Sequence, residues 1–119
     1  MEINLIIPEY LQGVDVTESV LKQIVFQLVK DFELNSEQEI AVLSKSLTLL
    51  NIQQWVEKVM FQKLENGSDL EQLLYRIDVP ERALEKVRNL KAEAYLKKLS
   101  EIILQRECIK VLTRIKFSS

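Results

Sequence analysis

The sequence predicts an all-α protein, a compact bundle of five or six helices preceded by a short N-terminal arm. Apolar residues recur at the helical period along most of the chain, and helix-capping patterns separate successive apolar stripes. At 47% apolar and 29% charged residues, the composition is that of a globular protein. A length of 119 residues predicts one domain, residues 1–119, in which residues 1–16 form the arm and a loop.

The arm and the first helix are separated by a loop that contains Gly13. Pro8 follows a short run of alternating apolar residues, which predicts an extended arm or an edge strand. Thr17 can cap the first helix, and Asp15 followed by Glu18 has the spacing of a capping box. The apolar stripe of this helix is Val20, Leu21, Ile24, Val25, Leu28, Val29 and Phe32.

The middle of the chain predicts two helices. Ser36 and Glu39 have capping-box spacing and start the first. The phase of the apolar pattern changes near Asn51, which predicts a helix boundary or a kink there. The second helix ends at Asn66 or Gly67, either of which can take a left-handed cap. The apolar positions before and after the phase change are Ile40, Leu43, Leu47 and Leu50, then Ile52, Trp55, Val56, Val59, Met60 and Leu64.

The last third of the chain predicts a short helix that begins at Ser68 and stops before Pro80. Pro80 suits the first position of the next helix. No further Gly or Pro follows, so residues 80–116 form either one long helix or two helices with a break near Asn89.

Apolar residues lie on two sides of the terminal helix. At about 100° per residue, Leu99, Ile102 and Ile103 share one side. A second set lies opposite and predicts a contact with the N-terminal arm or with a second subunit, unless the helix breaks. This candidate interface consists of Cys108, Val111, Leu112 and Ile115.

A basic stripe, Arg106, Lys110 and Arg114, follows one face of the same helix. Residues 1–79 carry 13 acidic and 6 basic residues, whereas residues 80–119 carry 5 acidic and 10 basic residues. The stripe predicts either contacts with an anionic partner such as nucleic acid or a solvated face near a helix C-terminus, where cations suit the helix dipole. A further alternative is that an acidic part of the bundle pairs with it internally.

The sequence lacks the residues that most kinds of catalytic site require. The chain has no histidine, so no catalytic triad, Cys-His pair or histidine metal site can form. Neither a GxGxxG nor a GxxxxGK[ST] nucleotide loop occurs. The lone Cys108 has no partner for an internal disulfide. We therefore expect a protein that is not an enzyme and that has no cofactor and no metal.

We expect a helical protein-interaction or scaffold module that self-associates or binds a protein partner. The alternative function is a nucleic-acid-associated regulator that uses the basic terminal helix. The N-terminus lacks the basic and apolar regions of a signal peptide, and no apolar stretch is long enough to span a membrane. A cytoplasmic protein is expected.

Four residues central to the apolar stripes are expected to be nearly inaccessible to solvent: Leu28, Leu47, Trp55 and Leu74. Among the other aromatic residues, Tyr75 is expected in the core by default, and the alternative is an exposed anchor of an interface. Tyr95 flanks the terminal stripe and is expected at the surface.

Overall fold

A computed structural model describes residues 6–43, 46–67 and 70–118 of the chain. Within these ranges the chain forms a 3₁₀ turn, six α-helices and no β-strand, so the predicted all-α bundle is confirmed. The 3₁₀ turn spans Glu9–Leu11. The helices are α1 (Glu18–Asp31), α2 (Ser36–Leu43), α3 (Leu49–Glu65), α4 (Leu70–Ile77), α5 (Glu81–Glu85) and α6 (Ala92–Phe117). Ile3 and Leu5 of the predicted arm lie outside the described residues.

The ends of α1 follow from its capping residues. The Thr17 hydroxyl accepts a hydrogen bond from the backbone N–H of Val20 at 3.2 Å, which confirms Thr17 as the N-cap. At the other end, Glu33 is left-handed with φ 53°. The N–H of Leu34 donates to the carbonyl of Val29 at 3.0 Å, the bond of a Schellman motif.

The boundary before α3 lies slightly earlier than predicted. Thr48, rather than Asn51, is the N-cap, and its hydroxyl accepts from the N–H of Asn51 at 3.0 Å. The phase of the apolar pattern changes because α2 has already ended at Leu43, so two separate helices meet here. Gly67 adopts φ 76° after the last turn of α3, as the predicted left-handed end requires.

The chain after Asp78 forms two helices, α5 and α6. Asp78 is left-handed with φ 69°, and the N–H of Val79 bonds the carbonyl of Leu74, so α4 ends in a second Schellman motif. Pro80 precedes the first helical residue of α5 instead of occupying it. Of the two alternatives for this segment, a break near Asn89 is correct, because α5 ends at Glu85 and α6 starts at Ala92.

Helix α6 organises the core. It has 26 residues and contacts α1, α3, α4 and the 3₁₀ turn. Its buried residues come in adjacent pairs every four positions: Leu99 and Ser100, Ile103 and Leu104, Glu107 and Cys108, Val111 and Leu112. Four residues exceed one helical turn by about 40°, so the buried stripe winds around α6 by about 120° over the three steps from Leu99 to Val111. None of the described helices is long and apolar enough to cross a membrane.

This winding corrects the reasoning behind the candidate interface. The apolar residues near the end of α6 are not left over on an uncovered side, because the buried stripe reaches them gradually. Cys108, Val111 and Leu112 have zero exposure within the single chain, and Ile115 packs against the same core. The helix does not break between Ile103 and Cys108.

The other core expectations are mixed. Leu28 and Leu74 are buried as predicted, whereas Leu47 and Trp55 are only half-buried at the edge of the core. The expectation for Tyr75 is wrong, because its side chain is 87% exposed on α4.

Leu28→Ala should destabilise the protein by about 2–5 kcal/mol, because Leu28 has zero exposure and its truncation leaves a cavity. Tyr75→Ala should change the free energy of unfolding by less than about 0.5 kcal/mol. Urea unfolding followed by circular dichroism measures both. Equal losses for the two variants would contradict the described packing of α1 and α4.

Leu112→Glu should unfold the chain, because it places a charge at a position with zero exposure. Ile115→Glu, which changes a half-buried position one turn away, should leave most of the helicity intact. Far-ultraviolet circular dichroism at 25 °C distinguishes the two variants. A folded Leu112→Glu protein would show that this part of α6 is accessible after all.

Candidate functional site

A groove between α5 and α6 is the candidate site. Its volume is about 490 Å³, and it is open to solvent. One face of α6 provides its floor at the spacing i, i+3 and i+7 through Ile102, Gln105 and Ile109. The remaining lining residues are Ile6, Pro80, Ala83, Lys86, Lys98, Glu101 and Arg106. The floor is mainly apolar.

The groove exists because α5 is held most deeply at its two ends, while Ala83 and Leu84 within it are only half-buried. None of its residues, Glu81–Glu85, is buried. Instead Val79 before the helix and Val87 after it insert into the core. Held in this way, α5 does not pack closely against α6, and the half-buried side chains of Ala83 and Ile102 face the space between them.

The rim of the groove is basic. Lys86, Lys98 and Arg106 line it, against one carboxylate, Glu101. Lys98 pairs with Glu101 at 3.2 Å, and Arg106 donates to Asp78 at 2.9 Å. Among the described residues, Lys86 has no ion-pair partner. The groove therefore combines apolar surface with an excess of positive charge, which suits an apolar ligand that carries carboxylates.

A second polar cluster lies on another side of α6, between this helix and α1. The Nζ of Lys110 donates to Asp31 at 3.0 Å and lies 3.9 Å from Glu107. Gln27 donates to the other oxygen of Asp31 at 3.0 Å and accepts from Arg114 at 3.1 Å. Four hydrogen-bonded side chains thus join α1 and α6, and the carboxyl group of Glu107 completes the network beside Lys110.

Glu107 is the unusual member of this network, because its exposure is zero. Neither of its oxygens receives a hydrogen bond within the described residues. Two ionised carboxylates cannot bond each other, so the arrangement is satisfied only when Glu107 carries a proton and donates it to Asp31. Burial first, and then the hydrogen bond and negative charge of Asp31, raise the pKa of Glu107 to about 9.

Asp31 keeps its charge. Its partial burial alone would raise the pKa, but hydrogen bonds to the ionised form outweigh burial, and the pKa of Asp31 is lowered. The donors, in order of effect, are Glu107, Gln27 and Lys110. The pair therefore holds one proton and one negative charge at neutral pH, and the ammonium of Lys110 balances that charge. Since Glu107 is inaccessible, no substrate reaches the shared proton, and the network acts on stability.

The predicted basic stripe points to these internal partners. Arg106 contacts Asp78, Lys110 contacts Asp31, and Arg114 contacts Gln27. Two of the three partners are carboxylates from the acidic part of the chain. These contacts favour the alternative of internal charge pairing over a free anionic-partner stripe, although Arg106 also lines the groove.

Cys108 is buried, and this burial raises the pKa of its thiol to about 11. Within the described ranges, no three side chains of Cys, Asp or Glu come together as metal ligands would. Comparison with protein-family models, with curated protein sequences and with solved structures found no match to this chain. The function is therefore inferred from the geometry of the site.

Sequence analysis missed both Glu107 and the groove, for different reasons. Glu107 had a signal, because it falls between Ile103 and Val111 in the four-residue series of buried positions. A charged residue in such a series indicates a buried polar contact. No sequence signal pointed to Gln105 or Lys86, since nothing in the sequence shows that α5 stands away from α6.

The pH dependence of stability should report the Glu107 proton. A pKa raised from 4.5 to about 9 means that the folded chain binds this proton more tightly than the unfolded chain. The contribution of Glu107 is therefore fully present below about pH 4.5 and decreases as the pH rises to about 9. Urea unfolding at pH 6, 7.5 and 9 measures this decrease.

Glu107→Gln should flatten that profile, because the amide donates to Asp31 without a titratable proton. The difference in free energy of unfolding, variant minus unmodified protein, should be more positive at pH 9 than at pH 6 by about 1 kcal/mol or more. Glu101→Gln, a matched change at a half-buried position of α6 that is accessible to solvent, should follow the unmodified profile. Parallel profiles for all three proteins would rule out a protonated Glu107.

Proposed function

We propose that this protein is a non-catalytic helical interaction module that binds a segment of a partner protein in the α5–α6 groove. The observation that carries the proposal is the combination of an open apolar floor with the basic rim formed by Lys86, Lys98 and Arg106. This surface complements a segment with apolar side chains and carboxylates. A cytoplasmic location belongs to the same proposal and is supported by the single reduced, buried thiol of Cys108.

The groove also supports a polypeptide ligand better than a small molecule. Its volume lies in the range of small-molecule pockets, but such pockets bury most of their ligand, whereas this groove is open. It already contacts polypeptide, since the lining residue Ile6 belongs to the N-terminal arm. A partner segment can lie along the exposed length of α6 without entering a closed cavity.

The alternatives from the sequence have weaker support. Self-association through the end of α6 would need Cys108, Val111 and Leu112, which have no exposed surface to offer. Nucleic-acid binding would need the basic stripe, whose three cations contact the chain itself. No contact in the described residues favours either function over the groove.

Three decapeptides with acetylated and amidated ends test the proposal by NMR titration of the ¹⁵N-labelled full chain. The first alternates isoleucine with glutamate; the second replaces each glutamate by lysine; the third replaces each isoleucine by serine. The first should shift the amide resonances of Ala83, Ile102 and Ile109 with a Kd below about 1 mM, and the other two should bind at least about tenfold more weakly. Equal binding of the lysine peptide, or no shift with the first, would overturn the proposal.

Ile102→Glu should abolish these shifts, because it places a carboxylate on the floor of the groove. Phe61→Glu is the matched control. Phe61 lines a separate surface depression with Glu57 and Leu96 and is half exposed. This variant should bind the first peptide as the unmodified protein does. Circular dichroism of both variants verifies that they remain folded.

A further inference from the structure

The side chain of Gln105 holds the backbone of the N-terminal arm at one residue. The N–H of Ile6 donates to Oε1 of Gln105 at 3.0 Å, and Nε2 of Gln105 donates to the carbonyl of Ile6. Both backbone polar groups of Ile6 are thus bonded by one planar amide, across 99 positions of sequence. Gln105 and Ile6 both line the groove.

This pair of hydrogen bonds depends on an extended backbone at Ile6. One planar amide can reach the N–H and the carbonyl of one residue only when both groups point to the same side, as they do in the hydrogen-bonded pairs of antiparallel strands. In an α-helix the two groups point in opposite directions along the axis and are bonded within the helix. The Gln105 amide therefore recognises an extended segment and excludes a helical one.

The arm is held here without deep burial. The side chain of Ile6 is 80% exposed, although it touches the groove. Its hydrogen bonds use backbone groups that every residue except proline offers. A segment that makes the same two bonds and also places apolar side chains on Ile102 and Ile109 would bury more apolar surface than the arm does.

We propose that Gln105 is a backbone clamp for an extended partner segment, and that Ile6 occupies this clamp until the partner displaces it. The inference rests on the proposed function and specifies the ligand: an extended, apolar and acidic polypeptide. Gln105 is the residue that selects the conformation, whereas the floor and the basic rim select the side chains. The arm acts as a weak competitor within the same chain.

Two variants of the full chain should change the affinity for the isoleucine–glutamate decapeptide in opposite directions. Gln105→Leu removes both bonds and should weaken binding about tenfold. Ile6→Pro removes only the N–H of the competing arm and should strengthen binding severalfold. The controls are Gln54→Leu, an exposed glutamine on α3, and Ile6→Val, which keeps the N–H; both should leave the Kd unchanged. Fluorescence anisotropy of the labelled peptide measures all five proteins.

Two further readouts address the backbone directly. The peptide should accelerate exchange of the Ile6 amide proton with solvent in the unmodified protein, because displacement breaks its bond to Gln105. Decapeptides N-methylated at one central position after another should include one that loses about tenfold in affinity, because it can no longer donate to Oε1.

The outcomes separate the clamp from the proposed function. If the peptide binds but Gln105→Leu and Ile6→Pro leave its Kd unchanged, the clamp is wrong and the groove remains the binding site. Weaker binding by Ile6→Pro would show that the arm supports the partner rather than competing with it, which also overturns the proposal. If no peptide binds the unmodified protein, the proposed function fails and the clamp fails with it.

Discussion

The winding of the buried stripe around α6 is the constraint on which the rest of the structure depends. A helix with one straight apolar face meets its neighbours on one side, whereas α6 must be covered on different sides along its length. Consequently it contacts α1, α3, α4 and the 3₁₀ turn, and it is about 39 Å long in a molecule whose longest dimension is 40 Å. Helices α1, α3 and α4 each cover one part of the stripe.

Positions beside the stripe and one position within it carry the candidate chemistry. Ile102, Gln105 and Ile109 are left half-buried because α5, which has no fully buried residue, does not pack closely over them. On the α1 side, the stripe passes through Glu107, where a carboxyl group must take the place of an apolar side chain. A carboxyl group is tolerated at this buried position because Asp31 shares the proton of Glu107 and Lys110 balances the negative charge of Asp31. Packing and polar contacts thus follow from one helix.

The sequence predicted the elements that depend on local chemistry. The Thr17 cap, the Gly67 turn and the all-α class all follow from residue types at fixed spacing. It did not predict what depends on how helices cross. The apparent two-sided apolar pattern of α6 suggested an interface at Val111 and Leu112, but a winding stripe produces the same pattern within one chain. The expectation that Tyr75 is buried was wrong for a similar reason, since α4 directs this side chain outwards beside the buried Leu74.

Cys108 gives this fold a built-in reporter. Its thiol has zero exposure and a pKa raised to about 11, so the folded protein offers an alkylating reagent neither access nor thiolate. Modification must therefore proceed through molecules in which α6 has separated from the core. The rate of labelling at this single atom measures the equilibrium population of that open form whenever closing is faster than alkylation. No probe needs to be introduced, and the α5–α6 groove stays unmodified.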